Sequence, residues 1–270
     1  MSKEEGVPFN DLSRIHRPLL EQFRGGLTRL VESSSLVLGQ EVAEFEQELA
    51  LAEDCNFAIG VNNGTSAIEL ALRALDIGDG DEVITTAFTF VATSFSILQT
   101  GAIPVLVDID PLSGLLDAAG IERVITRKTK ALVFVTLHGR VENLEQIQGI
   151  CKAHNLRFVI DAAQSHLGTF NGKPQTDFCD AATLSFYPGK NLGALGEGGA
   201  VLTNSHEIKD RLLLMRDWGA SEKYNHTVWG GNFRLEALQA SFLRISSSLP
   251  HFWGLFGHTH KRNQNQLKTR

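Results

Sequence analysis

From residue 56 onward the chain alternates short, wholly apolar runs with stretches of helical period, a rhythm that few folds accommodate. The runs are FAIGV, EVITT, IPVLVDI, ALVFVTL, RFVID, ATLSF and AVLTN. TSAIELALRAL, FVATSFSILQT and ENLEQIQGICKAH lie between them, and HEIKDRLLLMR follows the last. Strands apolar on both faces belong in a sheet covered on both sides, and helical crossovers make its strands parallel. The expectation is an α/β fold with a doubly wound, mostly parallel sheet over residues 31–245. Residues 1–30 read as a helical N-terminal segment, with Leu12, Ile15, Leu19, Leu20 and Phe23 at helical spacing. In such a sheet a ligand sits at the carboxyl ends of the strands.

Composition removes several classes of function. The chain has 270 residues, of which 43% are hydrophobic, enough for a sizeable core. A formal net charge of −6 gives no electrostatic footprint for nucleic acid. No apolar run approaches the ~20 residues of a membrane span, and MSKEEG lacks the apolar core of a secretion signal. Cys55, Cys151 and Cys179 are odd in number and widely spaced, which suits a reducing cytoplasm better than a disulfide framework or a zinc site. Residues 246–270 differ from the rest: they carry Lys261, Arg262, Lys268 and Arg270 and no acid, and read as a divergent basic tail. His258 and His260 in that tail lack a second ligand cluster, so no metal site is expected.

Four groups fall at the strand ends. RFVID ends in Asp161, where an acid either serves a ligand or caps the next helix. ATLSF reaches Ser185 and runs into YPGKNLGALGEGG, whose glycines let backbone approach a ligand and which carries Lys190. Desolvation there lowers a lysine's pKa and frees an amine. Asn62-Asn63-Gly64-Thr65-Ser66 joins a strand to a helix N-terminus. It reads as a phosphate cradle or as an ordinary cap by Thr65 or Ser66. The aromatics of TAFTFV either stack on a flat ring or fill the core.

Together these match the needs of pyridoxal 5'-phosphate (PLP): a lysine for a Schiff base, an acid at the pyridine nitrogen and a site for the phosphate. The chain also resembles the DegT/StrS sugar aminotransferases, within the aspartate-aminotransferase type I fold. The resemblance rests on NNGTSAIELALRAL, GDEVITTAFTFVAT, GAIPVLVDID, VIDAAQSHLGTFNGK, LSFYPGKNLGALGEGG and GGNFRLEALQASFLRI. It implies that Lys190 bonds the cofactor covalently and acts in catalysis, while Asp161 holds the ring nitrogen. It further implies that Gln164 bonds the ring hydroxyl, Phe90 stacks on the ring, and Gly64, Thr65 and Ser185 bind the phosphate. Asn232 would reach the phosphate in a neighbouring subunit, which implies a homodimer with shared sites.

The implied reaction carries an amino group from glutamate to a keto-sugar nucleotide, as in nucleotide-sugar and polysaccharide biosynthesis. Dehydrases of the same family replace the lysine with histidine, so Lys190 favours transamination. The resemblance stops near Ile245, where relatives continue into a smaller C-terminal domain, and a shortened chain is therefore expected. The competing reading is a catalytically silent PLP-binding or interaction protein. A desulfurase on the same fold lacks a suitable cysteine-bearing loop.

Overall fold

All seven apolar runs form strands of one sheet in the computed structural model, which describes residues 10–248. The chain opens with helices α1 (Ser13–His16), α2 (Leu20–Ser33) and α3 (Gly39–Ala52). Then come β1 (Phe57–Val61), α4 (Gly64–Ala74), β2 (Glu82–Thr86), α5 (Ala92–Gln99), β3 (Ile103–Val107), α6 (Ala118–Val124) and β4 (Thr129–Val135). Next are α7 (Leu144–Ala153), β5 (Arg157–Asp161) and a short hairpin of β6 (Thr169–Phe170) and β7 (Lys173–Pro174). The order closes with β8 (Ala181–Ser185), β9 (Gly199–Thr203), α8 (His206–Met215), the hairpin β10 (Ala220–Glu222) and β11 (Asn225–His226), and α9 (Ala237–Ser247).

The main sheet runs β1-β9-β8-β5-β4-β2-β3. Its strands pair in parallel except around β9, which is antiparallel to both β1 and β8. The exception follows from the connection. Residues 186–198 contain no helix, so the chain turns straight back beside β8 instead of crossing over. Alternate residues of the inner strands enter opposite cores, whereas Ile103 and Leu106 of the edge strand β3 are exposed. In β4, Leu132 and Phe134 pack with α3, α6, α7 and α9, while Ala131 and Val133 pack with α4, α5 and α8. This two-sided burial is what the unbroken apolar runs required.

The short helix α6 was not legible as a helical period. It holds seven residues and depends on Asp117, whose carboxylate accepts from the Ala119 N–H at 3.0 Å. The boundaries expected at residues 30 and 245 fall inside α2 and α9, which pack through an edge-to-face pair of Phe23 and Phe242. Most of the basic tail, residues 249–270, lies outside the described residues, as do residues 1–9 of the N-terminal segment.

Candidate active site

Register brings the expected residues to one end of the sheet. Asp161 closes β5 and sits opposite Thr183 of β8, two residues before Ser185. Ser185 pairs with Gly199, which in turn pairs with Val61 at the end of β1. Asn63 and Gly64 lie just beyond Val61, so the cradle, the Lys190 loop and the carboxylate share one rim.

The cradle forms around the start of α4. Its cap is Asn63, whose side-chain oxygen accepts from the Ser66 N–H at 2.8 Å. The cap thus falls to Asn63 and not, as expected, to Thr65 or Ser66. The N–H groups of Gly64 and Thr65, in the first turn, have no intrahelical acceptor and carry the positive end of the helix dipole. Packing explains the glycines. A Cβ on Gly64 would lie 2.7 Å from Cβ of Ser185, and one on Gly199 would lie 2.5 Å from the Asn63 carbonyl. Backbone is thereby left bare beside a buried hydroxyl, which fits a phosphate.

Lys190 lies half-buried in the loop between β8 and β9, its backbone N–H donating to Tyr187 O at 2.8 Å. The loop folds back tightly: a Cβ on Gly193 would sit 2.4 Å from the Pro188 oxygen. Burial lowers the Lys190 pKa, opposed by the charge of Asp161. Asp161 is buried, and burial raises its pKa. Its Oδ2 accepts from Thr93 Oγ1 at 2.8 Å and its Oδ1 from the Ala163 N–H at 3.2 Å. Both bonds, and Lys190, draw it back down.

Gln164 Oε1 accepts from the His138 N–H at 2.8 Å, which leaves its NH2 as a donor. Phe90 is 72% exposed just before α5, available to a flat ring rather than filling the core. Asn232 is exposed, and its backbone oxygen accepts from Asn62 Nδ2 at 3.4 Å, beside the cradle of its own chain.

Several residues escaped the sequence reading. Thr93 lies in the run FVATSF, four residues after Thr89, and that spacing is the available signal. Behind Asp161, Thr136 Oγ1 donates to the Asp161 backbone oxygen at 3.2 Å and contacts Ser165 Oγ at 2.6 Å. Gln175 completes that buried network through Ser165. His166 is buried against Phe186, and burial, then the Lys190 charge, pushes its pKa down to about 4. No group of His, Cys, Asp and Glu suited to a metal ion exists among the described residues. No helix among them is long and apolar enough to cross a membrane.

Comparison with known proteins shows what the chain is similar to. Residues 19–252 match the model of the DegT/DnrJ/EryC1/StrS aminotransferase family. The chain is 42% identical over 245 residues to the pleiotropic regulatory protein of Geobacillus stearothermophilus, covering 91% of this chain and 65% of that one. It is 39% identical over 239 residues to the dTDP-3-amino-3,4,6-trideoxy-alpha-D-glucose transaminase of Streptomyces venezuelae, covering 88% and 63%. The chain thus spans a little under two thirds of the length of these two relatives. The crystal structure of NtdA from Bacillus subtilis with bound cofactor PMP superposes with a TM-score of 0.84 at 30% identity, covering 91% of this chain and 57% of that one. With a family model matched over most of its length and a relative at 42% identity, the chain belongs to the DegT/DnrJ/EryC1/StrS aminotransferase family.

Proposed function

We propose that this chain holds PLP at the rim of β1, β5 and β8 and transfers an amino group from glutamate to a keto-sugar nucleotide. The observation that carries the reading is the placement, at one rim of the sheet, of buried Asp161 and half-buried Lys190, coupled by charge, with the Gly64–Ser185 cradle. The transaminase and cofactor named for the relatives above support it. When bound, PLP supplies an electron sink for the pair left on the donor's α-carbon.

The protein's own residues then do the following. The N–H groups of Gly64 and Thr65 and the hydroxyl of Ser185 bind the phosphate, and Phe90 covers one face of the ring. Gln164 donates its free NH2 to the ring oxygen. Asp161 accepts from the protonated ring nitrogen and keeps the proton there. Lys190 Nζ would hold the cofactor covalently, and as a free amine would take the proton from the donor's α-carbon. Its lowered pKa leaves more of the amine neutral for that task.

The reading includes a homodimer in which Asn232 meets the phosphate of the neighbouring site; its exposed side chain is free to do so. It also includes the cytoplasm, where the three free cysteines stay reduced. Borohydride reduction of PLP-soaked protein, followed by peptide mass analysis, is expected to place the pyridoxyl group on Lys190. Amino transfer from glutamate is then scored against a panel of keto-sugar nucleotides. Label elsewhere or nowhere refutes the cofactor assignment, and label on Lys190 without turnover of any sugar refutes the reaction.

A further inference from the structure

We propose that Thr89 and Thr93 form a directional hydroxyl relay that positions Asp161 and keeps it ionised, an assignment whose use to a cofactor rests on the reading above. Thr93 is wholly buried and its hydroxyl lies 2.8 Å from Asp161 Oδ2. An ionised carboxylate only accepts, so the single Thr93 proton points at Asp161. The 2.8 Å contact between the hydroxyls of Thr89 and Thr93 must then run the other way, with Thr89 donating. A donor that is itself receiving a hydrogen bond is strengthened. Half-buried Thr89 thereby reinforces a bond made inside the core.

The relay answers a conflict in the site. Burial favours the neutral acid at Asp161, whereas a partner for a protonated ring nitrogen must be charged. The opposing influences are the Thr93 hydroxyl, the Ala163 N–H and the charge of Lys190, in that order. Lys190, on the loop between β8 and β9, acts on Asp161 through its charge and makes no ion pair with it. The flanking residues are Val135 of β4, Thr136 just beyond it and Thr183 of β8, and none carries charge. His166, on the loop that follows Asp161, is held neutral by burial. Thr93 is also a geometric anchor. With Oδ2 tied to Thr93 and Oδ1 to Ala163, the carboxylate plane is fixed while lone pairs remain on both oxygens. Thr93 is thus a positioning residue, acting through Asp161.

The test uses cofactor-free protein first. Carboxyl-carbon NMR follows the Asp161 titration, assigned by its loss in Asp161→Asn. Thr93→Val keeps shape but removes the donor, and is expected to move the midpoint to higher pH. Thr93→Ser is expected to restore it, and Thr89→Val to move it less but in the same direction. If Thr93→Val does not fold, Thr89→Val and Thr93→Ser carry the comparison. PLP affinity by equilibrium dialysis at neutral pH is expected to fall in Thr93→Val, by roughly tenfold for each pH unit by which the Asp161 midpoint comes to lie above the assay pH. An Asp161 midpoint unmoved by both valine variants overturns the relay, as does failure of serine to restore it. Absence of PLP binding by the unaltered chain overturns the functional reading instead, while the Asp161 titration still decides the relay.

Discussion

Replacing Gly64 with alanine tests the cradle more directly than removing any side chain. The added Cβ would lie 2.7 Å from Ser185 Cβ, 3.1 Å from its Oγ and 3.2 Å from its Cα. Ordinary contact begins at 3.4 Å, so the start of α4 and the end of β8 must part by about 0.7 Å. Overpacking of this kind costs about 1–3 kcal/mol, against which alanine regains at most ~1 kcal/mol of helix propensity. The thermal midpoint of cofactor-free protein should fall by ~2–4 °C for each net kcal/mol. The same displacement withdraws the N–H groups of Gly64 and Thr65 from a phosphate. Losing one hydrogen bond to a charged group costs ~1.5–3 kcal/mol, or roughly ten- to a hundredfold in PLP affinity. The assays are thermal unfolding and PLP titration.

Two further variants isolate the cause. Gly149 lies in α7 with nothing within 4 Å of an added Cβ, so Gly149→Ala should be neutral or stabilising by up to ~1 kcal/mol. Adding Ser185→Gly to Gly64→Ala removes the two closest clashing atoms and should restore stability in part. It should leave PLP binding weak, because the Ser185 hydroxyl is gone. A Gly64→Ala protein that unfolds and binds PLP like the unaltered chain would show that no cradle is built there.

Asp161→Asn is expected to retain PLP yet slow the half-reaction with glutamate by at least roughly a hundredfold in stopped-flow absorbance, the scale of one lost charge-stabilising contact; an unchanged rate would remove Asp161 from the chemistry. Two buried groups make opposite contributions to stability in acid. His166 titrates near 4 when folded against 6.5, so its burial disfavours folding progressively as pH falls from 6.5 to 4, by roughly 3 kcal/mol. Glu53, raised by burial to about 7 from 4.5, stabilises fully below 4.5 and loses that contribution as pH rises through 7. Relative to the unaltered chain, urea midpoints should therefore fall more steeply on acidification in Glu53→Gln and less steeply in His166→Leu; parallel pH profiles would refute both assignments. In a dimer, Asn232→Ala should weaken PLP retention on gel filtration, and a monomer that holds PLP normally would refute the shared site.

The seven strands were legible because a sheet buried on both faces demands wholly apolar runs, and each such run in the sequence became a strand. Their ends then pointed at Asp161, Ser185 and Lys190 without any tertiary information, since ligands in such sheets lie beyond the carboxyl ends. What remained hidden was of another kind. Helix α6 is too short for its period to register, and its start depends on one local cap. The reversal of β9 was implicit in the helix-free loop, but its place between β1 and β8 was not. The bond from Thr93 to Asp161 joins residues 68 apart, and the clash that forbids a side chain at Gly64 comes from Ser185 on another strand. Local sequence carries periodicity, capping and turn chemistry, because those depend on neighbours along the chain. Which hydroxyl faces a carboxylate, and which glycine leaves room beside a serine, is decided only when sheet register sets distant residues side by side.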